Sequence, residues 1–200
     1  MHILPIAVVA ALSATPAHAA ASDDFLRAPT LLAQDLDINE VRIGPAFSNL
    51  ELNAQALPSS GSFSDARLDS LQLDLFFGSP DIDLFRAIGA PRFQLGTVFN
   101  FAGHENLVHA DLDWHVPVFD TPFYLEAGVG LGIHDGYLDN APPGDHDLGC
   151  RTLIHYSYGA GVNLNDHVTL TAQWQHMSDM FSCQPNQGLN QLGFVVGWKF

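Results

Sequence analysis

His176 and Ser178 stand two residues apart, and this pairing of an imidazole with a hydroxyl is the part of the chain best suited to covalent chemistry. A histidine close to a serine can take the hydroxyl proton while the oxygen attacks a carbonyl, which is what acyl transfer requires. Spacing alone does not make such a pair. Residues i and i+2 face apart on a helix, whereas on a strand they share a face, roughly 6.5 to 7 Å apart along the backbone. The chemistry therefore depends on whether the segment is extended.

The residues before it answer that question. Val168, Leu170, Ala172 and Trp174 alternate with Thr169, Thr171, Gln173 and Gln175, the two-residue period of a strand. The same count carries His176 and Ser178 onto the apolar face. Alternation recurs over Leu71 to Leu75, Phe93 to Phe101, Val108 to Val116, Phe123 to His134 and Leu153 to Val162. Segments near Glu40 to Ser48 and from Gly188 to Phe200 bring the expected number of strands to eight. Between them lie turn signals such as Pro58-Ser59-Ser60-Gly61, Asn140-Ala141-Pro142-Pro143-Gly144 and Asn163-Leu164-Asn165-Asp166. On the last strand, counting back from Phe200 through Trp198, Val196, Phe194 and Leu192 puts Asn190 and Gly188 on the apolar face. Asn190 can then stand beside His176 across the seventh and eighth strands.

The environment follows from what surrounds these strands. Ile3 to Leu12 is apolar and is followed by Ala17-His18-Ala19, which predicts a cleaved signal peptide over residues 1–19 and one domain over 20–200, although the leader lacks Lys and Arg. No later segment reaches the roughly 18 apolar residues of a spanning helix, so a membrane can be crossed only by strands. A net charge of -15, from 7 basic and 22 acidic residues, argues against nucleic acid as a partner; we assign it to solvated loops. Long strands, polar or glycine residues opposite the apolar ones, and an aromatic last strand ending in Phe200 together predict an all-β fold. The expected form is an eight-stranded antiparallel transmembrane β-barrel of the bacterial outer membrane, with a soluble sandwich as the fold sharing the same alternation.

With both ends in the periplasm, the seventh strand ends and the eighth begins at the cell-surface rim. Cys150 and Cys183 both fall in extracellular loops, which favours a disulfide over two free thiols in an exported chain. His109, Asp111, Asp113, His115, Glu126, His134, Arg151 and His155 are expected to fill the lumen as a polar network, since an eight-stranded barrel leaves no wide pore. Asp145-His146-Asp147 has the residue types of a divalent-cation site, but its Gly/Pro-flanked setting reads as a solvated turn, and neither a metal nor a cofactor is expected.

The run Trp174-Gln175-His176-Met177-Ser178-Asp179, followed by Pro185-Asn186-Gln187-Gly188-Leu189-Asn190, resembles the PagL-like lipid A 3-O-deacylases, also called the acyloxyacyl hydrolase family. The resemblance is strongest from Leu148 to Phe200. It implies Ser178 as nucleophile, His176 as base, Asn186 as a side chain that helps hold the oxyanion, and Gly188 as a backbone glycine of the same loop. The implied substrate is lipid A of lipopolysaccharide in the outer leaflet, and dimerisation among relatives leaves a homodimer open. Two positions depart from the family pattern. Asn190 occupies the place of the acid, and Asp179 stands where Asn is common. An Asn can accept a hydrogen bond from His Nδ1 but cannot stabilise an imidazolium; in a serine protease the same exchange lowered turnover about 10⁴-fold. On a regular strand Asp179 points to the opposite face, and a bulge would be needed to bring it round as a substitute acid. The competing reading is a non-catalytic barrel of the structural or adhesion type.

Overall fold

The computed structural model describes residues 37–50, 63–179 and 183–200; the expected signal peptide and the Pro58 to Gly61 turn lie outside them. The element order is β1 (Ile38–Ser48), β2 (Arg67–Phe77), α1 (Asp83–Ala87), β3 (Arg92–Asn100), β4 (Leu107–Pro117), β5 (Phe123–His134), β6 (Thr152–Asn163), β7 (Val168–Ser178) and β8 (Leu189–Lys199). Each strand pairs antiparallel with the next, and β8 returns to β1 through pairs such as Val41 with Trp198 and Phe47 with Leu192, closing the barrel. An 11-residue strand is roughly 36 Å long and, tilted by about 40°, rises about 28 Å, the thickness of a bilayer's apolar layer. No helix among the described residues is long and apolar enough to cross a membrane.

The two faces of the sheet are inverted relative to a soluble protein. Leu131 is 58% exposed and Asp113 is 0% exposed, and this sign holds around the barrel, with Ile43, Leu95, Val129 and Val196 outside and Gln72, Asp74, Gln94 and Gln173 inside. A soluble sandwich buries its apolar face; this chain displays it, so the barrel reading stands.

Inside, Arg42 donates to Glu40 and Glu126 at 2.8 Å each, and Arg92 donates to Glu40 at 2.9 Å and Asp113 at 2.5 Å. Thr169 adds a bond to Glu40 at 2.8 Å. Near this layer His109 and His155 both address one oxygen of Asp111, at 2.6 and 2.8 Å, and His115 packs on the Tyr124 ring. His134 bonds the Cys150 carbonyl at 2.6 Å. The lumen network is therefore as expected except at Arg151. That residue precedes the first residue of β6, so the in-out alternation has not begun; it is exposed and donates to the carbonyls of His134 and Gly136 at 2.9 and 2.8 Å.

Two loops also differ from expectation. Asp145, His146 and Asp147 are not merely solvated, because Asp145 pairs with His104, His146 donates to Glu105 at 3.0 Å, and Asp147 accepts from the Ala141 N–H at 2.6 Å. The β2–β3 connection contains the single turn α1, tied down by Trp114 Nε1 donating to the Ile88 carbonyl at 2.7 Å.

Candidate active site

β7 ends at the rim that also holds the β5–β6 loop and the start of β8. Along it Thr169, Thr171, Gln173, Gln175 and Met177 point inward and are buried, while Leu170, Ala172, Trp174, His176 and Ser178 point outward. On β8 the outward set is Asn190, Leu192, Phe194, Val196 and Trp198. Register does the rest: His176 lies opposite Asn190 on one side and opposite Tyr156 on the other, and Ser178 lies opposite Ile154.

The pairing becomes a hydrogen bond between His176 Nδ1 and Asn190 Oδ1 at 2.6 Å. An amide oxygen only accepts, so in this arrangement Nδ1 carries the imidazole proton and Nε2 the lone pair. The amide's other end, Nδ2, donates to the Leu50 carbonyl at 3.0 Å. On its flat side the imidazole meets the Tyr156 ring, with centroids 4.7 Å apart and planes 38° apart. Its edge meets Gly188. That glycine has φ +70°, and a Cβ built on it would lie 3.1 Å from His176 Cε1 and 3.3 Å from the Met177 carbonyl oxygen. The residue is thus required twice, for its left-handed backbone and for the space its missing side chain leaves the ring. Trp174 is covered on the same outer face by Phe63, whose ring stands edge-on at 6.4 Å.

The loop between β7 and β8 is built around Asp179. Its two carboxylate oxygens accept from Asn186 Nδ2 and from the Cys183 N–H. The hydrogen bond at His176 Nδ1 is made by Asn190, while these two bonds of Asp179 tether the loop. Asn186 is correspondingly less free than the sequence suggested. One of its two Nδ2 hydrogens goes to Asp179. A disulfide joins Cys150 to Cys183 with Cα atoms 5.8 Å apart. Beside it the Asp147 N–H donates to Gln187 Oε1 at 2.7 Å and the Gln187 N–H to the Asp147 carbonyl at 3.0 Å. The β5–β6 loop therefore clasps the segment that carries Asn186 and Gly188.

Sequence reasoning places His176, Ser178, Asn190 and Gly188 together on the outer face; the structure puts His176, Ser178 and Asn190 there, whereas Gly188 precedes β8 and meets the His176 ring from the loop. That reasoning missed Tyr156, Leu50 and Phe63. Tyr156 already carried a signal, as an outward aromatic on a neighbouring strand, but only the register reveals that it meets His176. Leu50 contributes a main-chain carbonyl, for which a sequence has no sign.

A closed barrel with a polar lumen, an apolar exterior and a His–Asn pair on the strand face that also holds a serine defines a class: an outer-membrane barrel with a polar cluster on its outer face. The family model for lipid A 3-O-deacylase (PagL) matches residues 74–199, and the chain belongs to that family, whose setting is the bacterial outer membrane. A comparison with curated proteins finds no match. Among solved structures, the chain is similar to the outer membrane enzyme PagL, at 14% identity and TM-score 0.51, over 80% of this chain and 99% of that one. It is also similar to the N-terminal β-barrel domain of Pseudomonas aeruginosa OprF, at 13% identity and TM-score 0.49, over 81% of this chain and 98% of that one.

Proposed function

We propose that this protein hydrolyses an ester-linked acyl chain of lipid A with Ser178 as nucleophile, His176 as base and Asn190 as the group that orients the base. The observation that carries the reading is the 2.6 Å bond from His176 to Asn190 on the outward face, on the strand and face that hold Ser178. A soluble ester would not reach this face, whereas an acyl chain of an outer-leaflet lipid lies alongside it, against the outward apolar surface of Leu170, Phe194 and Val196.

The chemistry is acyl transfer. Ser178 Oγ attacks the ester carbonyl as His176 Nε2 takes its proton, and the tetrahedral oxyanion is held by the second Nδ2 hydrogen of Asn186 together with main-chain N–H groups of the loop. Collapse breaks the ester bond, and His176 returns the proton to the departing sugar oxygen. Water, deprotonated by the same nitrogen, then releases the fatty acid and restores Ser178. Every named residue comes from one chain, so the reaction asks for no second copy.

Mass spectrometry of lipid A from cells expressing the wild type or Ser178→Ala tests this. Loss of one acyl chain with the wild type only is expected. Unchanged lipid A in both, with the barrel folded in the outer membrane, would refute the hydrolase and leave a non-catalytic barrel.

A further inference from the structure

We infer that the main-chain carbonyl of Leu50 is the positioning group that makes Asn190 a working replacement for an acid, and that it makes an ionised acid unsuitable at that position. The inference rests on the reading of His176 as the base.

A side-chain amide has two ends of nearly equal shape and opposite hydrogen-bonding character. With Oδ1 toward His176, the imidazole carries its proton on Nδ1 and Nε2 can accept from Ser178. With the amide reversed, Nδ2 would donate to Nδ1, the proton would move to Nε2, and the ring could no longer take a proton from the serine. That reversed tautomer is the reason an amide fails in place of the triad acid of a serine protease, by about 10⁴-fold. An Asn can therefore serve only if something outside the pair fixes which way it points.

Leu50 supplies that constraint. A carbonyl oxygen only accepts, and this one lies 3.0 Å from Asn190 Nδ2. Reversal would set Oδ1 against it. Asn190 is 7% exposed and Leu50 2% exposed, so water is poorly placed to relieve two facing acceptors. The position of the carbonyl follows from how the barrel closes. The β1–β8 ladder runs through Phe47 with Leu192, and continuing it two residues would bring residue 49 opposite 190. Asn49 leaves the strand direction with φ +54°, and its side chain holds the turn by donating to the Asp65 carbonyl at 3.1 Å. The next residue then presents its carbonyl to Asn190.

The same geometry acts against a carboxylate. An ionised Asp at position 190 would place one oxygen at His176 and the other against the Leu50 oxygen. Only the protonated acid, whose O–H can donate to Leu50, reproduces the contacts of the amide.

The test is Asn190→Asp, with folding checked by heat-dependent gel migration, read in two ways. In the first, deacylation of lipid A is followed as a function of pH for variant and wild type. If Leu50 acts as inferred, the variant is at least tenfold slower at pH 7.5, and the ratio of variant to wild-type rate rises toward one as the pH falls. A variant as fast as or faster than wild type at pH 7.5 overturns the inference, because it would mean that restoring the acid restores the triad. In the second, nitrogen NMR of the His176 ring in the folded wild type is expected to show the proton on Nδ1, and in Asn190→Ala a shift of population toward Nε2. A wild-type ring protonated on Nε2 overturns the inference whatever the rates. If the wild type leaves lipid A unchanged while its His176 proton sits on Nδ1 and moves in Asn190→Ala, the proposed hydrolase fails and the positioning by Leu50 stands.

Discussion

Gly188→Ala separates the two demands placed on the glycine at the edge of the His176 ring. The first is conformational: at φ +70° an L side chain costs roughly 1–2 kcal/mol. The second is spatial. The new methyl would sit 3.1 Å from Cε1 and 3.3 Å from the Met177 carbonyl oxygen, and since the main chain on that side is held in the β7–β8 ladder, the ring must yield by a few tenths of an ångström. A misplacement of about 1 Å costs about a hundredfold in rate, so a third of that gives roughly fivefold. Gly103→Ala is the control. Its φ of +88° imposes the same backbone demand, yet nothing lies within 4 Å of the added carbon. Urea unfolding in vesicles gives the stability of each variant, and lipid A deacylation per folded molecule gives the rate. Comparable stability losses are expected, with the rate lowered only by Gly188→Ala. Equal rates per folded molecule in the two variants would refute the claim that this glycine makes room for the base.

Removing the disulfide by Cys150→Ser should release the segment carrying Asn186 while leaving the barrel closed. Closure of a loop of 33 residues is worth roughly 3 to 4 kcal/mol in the chain-entropy model, and hydrogen exchange should quicken over residues 183–188 and remain slow in β1 to β5; unchanged exchange in 183–188 would show that the Asp147–Gln187 bonds suffice. Acid should loosen the adjoining β5–β6 loop. Burial alone would raise the Glu105 pKa, but the bond and charge of His146 outweigh it and hold the carboxyl below its ordinary value, so its contribution is present above the ordinary glutamate range and is lost as the pH falls through the lowered value. Hydrogen exchange over residues 141–147 should therefore accelerate in acid for the wild type, and Glu105→Gln should flatten that dependence.

What could be read in the sequence was the part that has only two possible answers. A strand residue points in or out, so one correct count along Val168 to Ser178 and another back from Phe200 sufficed to put His176, Ser178 and Asn190 on one face, while Gly188 precedes β8 and reaches the ring from the loop. An even number of strands with both ends on one side then fixed which rim they occupy. Three-dimensional choices with many answers were not legible. Asn186 looked available for an oxyanion because the sequence does not say that Asp179 shares its amide. Arg151 looked like a lumen residue because alternation was extended one position past the start of β6. The five-residue helix α1 is too short to show a period, and the loop from Asp145 to Asp147 gave no sign that His104, Glu105 and Gln187 would meet it.

The ionic layer inside the barrel bears on how the protein comes to exist at all. Arg42–Glu40 lies within β1 and Arg92–Asp113 joins the neighbours β3 and β4, whereas Arg42–Glu126, Arg92–Glu40 and Thr169–Glu40 link strands that are not neighbours and meet only across the lumen. A partly assembled sheet would hold some of these charges without their partners, and its apolar face would have no lipid to meet. Both deficits vanish together when β8 closes on β1 within the bilayer. The bonds that cross the lumen therefore favour the closed barrel over open forms in which Glu40, Arg42 and Glu126 lack their remote partners.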